Sequence, residues 1–209
     1  MAMDRRANGD VTAAAVRRGF PVSDEDDRAA RDRLVARADE EGMLDVAYRT
    51  IDSPIGALLL AATPVGLVRV AFEAEDHDAV LADLSARLGP RILSTSRGLD
   101  AAARQLDEFL DGRRDVFDVR VDLQLVRGFR REVLEHLQDI GYGVTRTYAQ
   151  VAVTAGRPAA VRAVGSACSH NPVPLVVPCH RVVRSDGTIG QYAGGADLKR
   201  MLLEMESAA

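Results

Sequence analysis

The chain has 209 residues, of which 47% are hydrophobic, 28% charged and 4% aromatic, a content that suits one large or two small folded domains and excludes wholesale disorder. It has no run of about 18 apolar residues and no apolar signal core near its start, so neither a membrane span nor a secretory leader is predicted. Two cysteines are too few for a disulfide framework or for the usual structural zinc site, so we expect a soluble protein in the reducing cytoplasm.

The net charge of −4 is divided unevenly along the chain. Residues 1–126 carry 17 arginines and 24 acidic residues, a net of −7, whereas residues 127–209 carry 10 basic and 7 acidic residues, a net of +3. The basic second part permits phosphate binding, although an ordinary mixed surface is the alternative.

Residues 1–45 differ from the remainder of the chain, with 11 acidic residues, 8 arginines and a single aromatic residue. A polar helix could form within Asp26–Glu41, because Ala, Arg and Glu favour helices. It would offer little apolar surface, so we expect residues 1–45 to be a mobile or loosely docked extension.

Residues 46–124 have the pattern of a small sheet with helices. Short strands separated by Pro/Gly turns predict an antiparallel meander. The predicted strands and helices are a strand within Tyr48–Gly56, strands at Ala57–Ala62 and Leu67–Phe72, helices at Asp76–Leu88 and Leu99–Leu110, and a last strand at Val116–Leu123.

Residues 125–209 are predicted to be mainly helical. A helix fits Phe129–Ile140, and Thr147–Gln150 matches a capping box that opens a short helix. A second helix restarts at Arg157-Pro158 and runs to about Ser169, so the pair is a helix-turn-helix candidate. On spacing alone this leaves DNA binding open, because most helix pairs in globular proteins bind no DNA.

The pair Cys179-His180 follows an apolar, strand-like run flanked by prolines. A thiol attacks only as the thiolate, which a neighbouring imidazole can generate, and Glu206 on the closing helix could orient that imidazole. The alternative is an inert core cysteine that happens to precede a histidine, because burial raises a thiol pKa.

Several motifs in a fixed order distinguish these interpretations. They are Asn171–Pro174, Pro178–Val183 and Gly190–Gly195, with Ser53–Gly56 and Gln105–Leu110 as weaker matches further up the chain. Together they resemble the O6-alkylguanine-DNA alkyltransferases, the methylated-DNA–protein-cysteine methyltransferases. The resemblance is dense over residues 127–206, looser over residues 48–123 and absent from residues 1–45.

The resemblance implies an α+β protein. A ribonuclease H-like domain of residues 46–124, with a small antiparallel sheet and helices, would precede a mainly helical domain of residues 125–209 with a helix-turn-helix. The partner would be double-stranded DNA carrying O6-alkylguanine. The protein would act as a monomer and would not bind a membrane. The DNA-binding residues would be Tyr148 and Arg162, the latter filling the space of a flipped nucleotide, together with Ala160, Gly165 and Ser166, small residues that let the helix approach DNA.

The family reaction would consume the protein in a single turnover. His180, oriented by Glu206, would take the proton of Cys179 through a water molecule, and the thiolate would attack the alkyl carbon on O6. Tyr148 would donate a proton to the leaving guanine, and Asn171 would brace the turn before the reactive cysteine. No cofactor and no metal are implied.

The base pocket implied by the resemblance consists of Val182, whose carbonyl would read the base amino group, and the loop residues Tyr192, Ala193 and Gly194. The sequence departs from many relatives in having Ala193 where serine is common, a change that keeps the backbone amide. The other cysteine, Cys168, is interpreted as a core residue.

Two alternatives to alkyl transfer stay open at this point. The first is a lesion-sensing DNA-binding protein that transfers nothing, against which the presence of Cys179 argues, because sensing relatives replace that residue. The second, more remote, is a thiol hydrolase with repeated turnover.

Overall fold

The computed structural model describes Ser23 and residues 29–30, 33–34, 36–38, 41–96 and 98–207. Most of the predicted extension therefore lies outside the described residues. Those described between residues 29 and 38 are helical, as the composition of Asp26–Glu41 suggested. Ala38 and Leu44 are buried, so the last residues before the first strand pack against the folded part of the chain.

A four-stranded sheet forms the first part of the protein, with strands in the order β3-β2-β1-β4. The strands are β1 Val46–Ile51, β2 Leu58–Ala62, β3 Leu67–Phe72 and β4 Ile92–Ser94. The three predicted strands form the antiparallel meander, but β4 was not predicted and pairs parallel to β1. The sheet is therefore mixed, because the intervening helix carries the chain to the far edge and returns it in the direction of β1.

The predicted last strand, Val116–Leu123, does not form. This segment forms no regular secondary structure and joins the sheet only at an isolated bridge between Leu67 and Val121. The Asp122 side chain makes its hydrogen bonds outside the sheet. The buried Asp122 carboxylate accepts hydrogen bonds from the Thr63 hydroxyl (2.6 Å) and the Gln124 amide (3.0 Å), and so holds the chain in a turn.

Two helices cover the two faces of the sheet. Helix α1, His77–Leu88, begins after Asp76, whose carboxylate accepts from the second and third backbone amides beyond it. Its Leu84 packs on one face of the sheet in a small apolar cluster. Helix α2, Asp100–Leu110, places its buried residues against the opposite face, in the main core.

The second part of the protein is mainly helical, as predicted. Its elements in chain order are α3 Phe129–Leu137, β5 Arg146–Thr147, α4 Tyr148–Thr154, α5 Val161–Ser169, a 3₁₀ turn Cys179–Arg181, β6 Val182–Val183 and α6 Gly195–Ser207. The capping box is confirmed, since Thr147 Oγ1 accepts from the Gln150 amide and Gln150 Oε1 from the Thr147 amide. Helix α5 begins later than predicted, because residues 157–160 form a turn instead of a first helical turn.

The two parts share one continuous core. Phe109 on α2 is fully buried and packs against Tyr142 of the second part, with ring centroids 6.3 Å apart. Within the described residues, no helix is long and apolar enough to cross a lipid bilayer.

Candidate active site

The segment before Cys179 is a buried series of turns, not the strand-like run that its sequence indicated. Asn171 holds it together. Its Oδ1 accepts from the Val173 amide (3.0 Å), while its Nδ2 donates to the Val177 carbonyl (2.8 Å). Leu175 adopts a positive φ of 72°, a conformation that costs a branched side chain energy and that the surrounding contacts must maintain.

The Cys179 thiol ends these turns and is 2% exposed. Asn171 Nδ2 also donates to Cys179 Sγ, at 3.1 Å, so one amide group ties the turns to the sulfur. Burial raises the pKa of Cys179, whereas the Asn171 hydrogen bond and the nearby Lys199 ammonium act in the opposite direction. The thiol is therefore protonated in the resting protein. The Asn171 amide and the Lys199 ammonium favour its anion.

His180 and Glu206 meet as the sequence suggested. His180 Nε2 lies 2.9 Å from Glu206 Oε1, and both side chains are buried. Burial lowers the pKa of His180 and so keeps the ring neutral, although Glu206 opposes this. Burial alone would raise the pKa of Glu206, but hydrogen bonds from His180 and Arg181 outweigh it and lower that pKa to about 2. The pair is a carboxylate holding a neutral imidazole.

Arg181 is a site residue that sequence reasoning missed. Its guanidinium donates to both Glu206 oxygens, at 2.9–3.1 Å, and to the Ile140 carbonyl. The same carboxylate thus has a permanent cation on one side and the imidazole on the other. Its position directly after the Cys-His pair was the only signal in the sequence.

Lys199 is the second residue that the sequence reasoning missed. It lies on α6, is fully buried, and donates from Nζ to the Val182 carbonyl at 2.6 Å. Burial lowers the pKa of Lys199, and Cys179 and Cys168 would oppose that shift when ionised to thiolates. One signal was available, because Lys199 is the only lysine in a chain that otherwise uses arginine.

Tyr148 begins α4 and is half-buried beside the cysteines. Burial raises the pKa of Tyr148 to about 12, and Cys168 and Cys179 add to the shift. The hydroxyl lies over Gly190, where an added Cβ would be 2.3 Å from the phenol oxygen. Gly165 of α5 faces the same ring. Tyr148 thus keeps its proton at neutral pH. Its hydroxyl leaves room only for glycine at position 190.

The predicted pocket loop, residues 192–194, packs against both the sheet and the site. The Tyr192 ring makes edge contacts with Phe72 on β3 and with His180, at centroid distances of 5.7 and 6.2 Å. A side chain at Gly194 would collide with Leu198. Ala193 lines a cleft with Asn171.

The predicted DNA-binding residues of α5 lie at its start and along its accessible side. Arg162 is exposed, while Ala160 and Ser166 are partly exposed. Among the described residues, hydrogen bonds join Cys179 with Asn171 and His180 with Glu206, and none joins Arg162 to either pair. Their roles stay predictions of the sequence.

Comparison with known families covers most of the chain. Residues 46–123 match the 6-O-methylguanine DNA methyltransferase, ribonuclease-like domain, and residues 128–208 match the 6-O-methylguanine DNA methyltransferase, DNA binding domain. The chain belongs to the 6-O-methylguanine DNA methyltransferase family. The resemblance seen in its motifs is thereby confirmed.

Individual members of this family are similar over nearly their whole length. The methylated-DNA–protein-cysteine methyltransferase of Methanosarcina barkeri is 38% identical over 160 residues, which cover 76% of this chain and 96% of that protein. The Mycolicibacterium paratuberculosis protein of the same name is 39% identical, covering 77% and 92%. The crystal structure of Mycobacterium tuberculosis OGT in complex with DNA superposes with a TM-score of 0.68 at 37% identity, covering 78% of this chain and 93% of that one.

Proposed function

We propose that this protein repairs DNA by taking the alkyl group of O6-alkylguanine, and of O4-alkylthymine, irreversibly onto Cys179 in a single turnover. The observation that carries the proposal is the placement of the thiol. The Cys179 thiol accepts a hydrogen bond from Asn171. The next residue in the chain is a neutral His180, which Glu206 holds by a hydrogen bond. The chain that carries these residues belongs to the methyltransferase family. The named relatives are methylated-DNA–protein-cysteine methyltransferases, which supports the same reaction here.

The chemistry starts with removal of the thiol proton. His180 Nε2 faces Glu206, and His180 Nδ1 has no hydrogen-bond partner among the described residues, so Nδ1 is the nitrogen free to take the proton. The Asn171 amide and the Lys199 ammonium stabilise the resulting sulfur anion. His180 thus acts as the general base and Glu206 fixes its orientation.

The thiolate then displaces guanine from the alkyl carbon. A carbon–sulfur bond forms as the bond between that carbon and O6 breaks, and the electron pair of the broken bond goes to the guanine. Tyr148, whose pKa of about 12 keeps it protonated, donates a proton to the leaving base and regains one from the protonated His180 through solvent. The proton lost by the thiol balances the proton gained by guanine, and a thioether has no comparable leaving route, so the protein is spent without any cofactor.

The base reaches the sulfur only if it leaves the helix stack. We assign Arg162 to the space that the flipped nucleotide vacates, with Ala160, Gly165 and Ser166 allowing α5 to approach the minor groove. The flipped base would contact the Val182 carbonyl and the loop of Tyr192, Ala193 and Gly194. The DNA complex of the Mycobacterium tuberculosis OGT supports duplex DNA as the partner.

We further propose that the protein works as a monomer in the cytoplasm. Both cysteines are free and buried, a state that a reducing compartment preserves.

An intact-mass measurement tests the reaction. Incubation with duplex DNA bearing one O6-methylguanine should raise the protein mass by about 14 Da, one methylene, and peptide mapping should place the gain on Cys179. Cys179→Ser should show no gain, whereas Cys168→Ser, the matched loss of the other thiol, should react normally.

The same measurement separates the alternatives. Tight binding to the lesion with an unchanged mass would identify a sensor instead of a transferase. Repeated turnover on an ester or amide would indicate a thiol hydrolase. Removal of lesions by Cys179→Ser at the parent rate would overturn the proposal.

Arg162→Ala tests base flipping. The exchange should slow repair in duplex DNA at least tenfold but leave the reaction with free O6-benzylguanine nearly unchanged, because the side chain acts on the helix and not on the thiol. Arg200→Ala, an exposed arginine on α6 paired with Asp197, is the control and should change neither rate. Equal losses on both substrates would contradict the assigned role.

A further inference from the structure

A groove of about 1040 Å³ lies where the end of α1, residues 124–128, the start of α3 and the side of α5 meet. Four of the residues that line it are arginines: Arg87, Arg127, Arg130 and Arg131. None of its lining residues is Asp or Glu. In a chain with a net charge of −4, this arginine groove is a concentrated positive surface.

Two of the four arginines already have carboxylate partners. Arg87 donates to Asp83, at 3.2 Å, and to the Leu125 carbonyl. Arg131 donates to Glu135, one helical turn away, at 2.8 Å. Both pairs are exposed and therefore weak, so these side chains can exchange a carboxylate for a stronger anion.

The other two arginines, Arg127 and Arg130, are exposed and form no ion pair among the described residues. Exposed guanidinium groups without a carboxylate are free to bind phosphate. The groove also includes Ala163 and Ser166 of α5, the helix assigned to the DNA minor groove. A duplex lying on α5 therefore has this positive surface directly beside it.

We propose that the arginine groove binds the phosphodiester backbone of duplex DNA next to the segment that α5 contacts. This inference rests on the proposed function, because it takes α5 as the helix that enters the duplex. Since α1 belongs to the first part of the chain, Arg87 extends the DNA interface from the helical part onto the domain that carries the sheet. The contacts are to phosphates, so they add affinity and orientation without reading sequence.

The salt dependence of binding to undamaged duplex DNA measures such contacts. Each neutralised phosphate contributes about 0.9 to the slope of log K against log salt concentration. Arg127→Gln/Arg130→Gln should therefore lower the magnitude of that slope by about 2 and weaken binding at low salt. Arg87→Gln should lower the magnitude of the slope by about 1, which would show that the first part of the chain also contacts DNA.

The matched control is Arg104→Gln/Arg113→Gln, which removes the same charge from exposed arginines on and after α2. Its slope should stay that of the parent. All variants should react with free O6-benzylguanine at the parent rate, which shows that the thiol site is intact. A slope unchanged by the groove substitutions, or lowered equally by the control, would overturn the groove assignment even if alkyl transfer to Cys179 is demonstrated.

Discussion

At the residue scale, Glu206 is the group on which the site depends, because it is shared by an imidazole and a guanidinium. Glu206→Gln removes the counter-charge of the buried Arg181, and breaking a buried pair in this way costs about 3–5 kcal/mol. We therefore expect a lower urea midpoint together with slower single-turnover transfer. Glu204→Gln, an exposed carboxylate on the same helix, should change neither, and an equal loss in both variants would contradict the shared role.

The same pair predicts how stability varies with pH. Both groups have folded pKa values below their ordinary ones of 6.5 for His180 and 4.5 for Glu206. In acid the unfolded chain therefore binds protons first. The free energy of unfolding should fall as the pH drops below about 6.5, and fall further from about 4.5 towards 2.

Urea denaturation at a series of pH values tests this dependence. His180→Gln should lose the upper step, whereas His136→Gln, the loss of a half-buried imidazole on α3, should keep it. A stability profile of the parent that is flat between pH 7 and pH 5 would contradict the assignment.

The Tyr148 hydroxyl leaves no space for a side chain at position 190. Gly190→Ala places a methyl group 2.3 Å from the phenol oxygen, and overpacking of this kind costs about 1–3 kcal/mol. We expect a lower Tm and slower transfer. Gly141→Ala, whose added Cβ would meet nothing within 4 Å, is the control. Adding Tyr148→Phe to Gly190→Ala should restore part of the Tm, and its failure to do so would show that the clash is not with the hydroxyl.

Some residues of the site could be predicted from the sequence and others could not. Cys179, His180 and Glu206 could be named as a thiol, a base and an orienting carboxylate from their residue types, and the resemblance then favoured this interpretation over an inert core cysteine. The structure brings the last two into contact. Arg181 and Lys199 could not, since a buried charge looks like a surface charge in sequence until its partners, from α3 to α6, are placed around it.

At the element scale, the capping box fixes the start of α4 and with it Tyr148. Thr147→Ala removes the acceptor of the Gln150 amide and should cost about 1 kcal/mol. Because α4 is short, we also expect slower repair of duplex DNA. Thr145→Ala, the exposed threonine two residues earlier, should leave both the urea midpoint and the repair rate unchanged.

The elements with strong local signals were predicted, and those set by distant contacts were not. The capping box and the turns between β1, β2 and β3 are encoded within a few residues. Strand β4 is only three residues long and exists because β1 offers it an edge. Val116–Leu123 has the alternating pattern of a strand, yet its Asp122 carboxylate accepts a hydrogen bond from the Thr63 hydroxyl in the turn after β2. This contact joins residues far apart in the sequence, so the local pattern does not predict it.

At the scale of the whole molecule, one core joins the sheet domain to the site. Phe109 lies within 6.3 Å of the His180 ring, and Phe72 contacts Tyr192. We therefore expect the two parts to unfold together in a single calorimetric transition, with a van't Hoff enthalpy equal to the calorimetric one. Two separate transitions would show that each part is stable alone.

The folded part of the chain begins just before β1. Leu44 is buried and the Asp45 carboxylate binds the Arg91 guanidinium, so these residues belong to the folded part. Removal of residues 1–28 should leave alkyl transfer and Tm unchanged. Removal of residues 1–45 should lower the Tm, as measured by calorimetry. Equal effects of the two deletions would show that Leu44 and Asp45 contribute nothing.

Lys199 is the single lysine of the chain. An amine-reactive acylating reagent meets no other lysine side chain in this protein, and Lys199 is fully buried near Cys179. Acylation of Lys199 therefore requires the core to open at that place. Its rate, followed by mass spectrometry, reports how often the reactive centre is exposed to solvent, in the free protein and when DNA is bound.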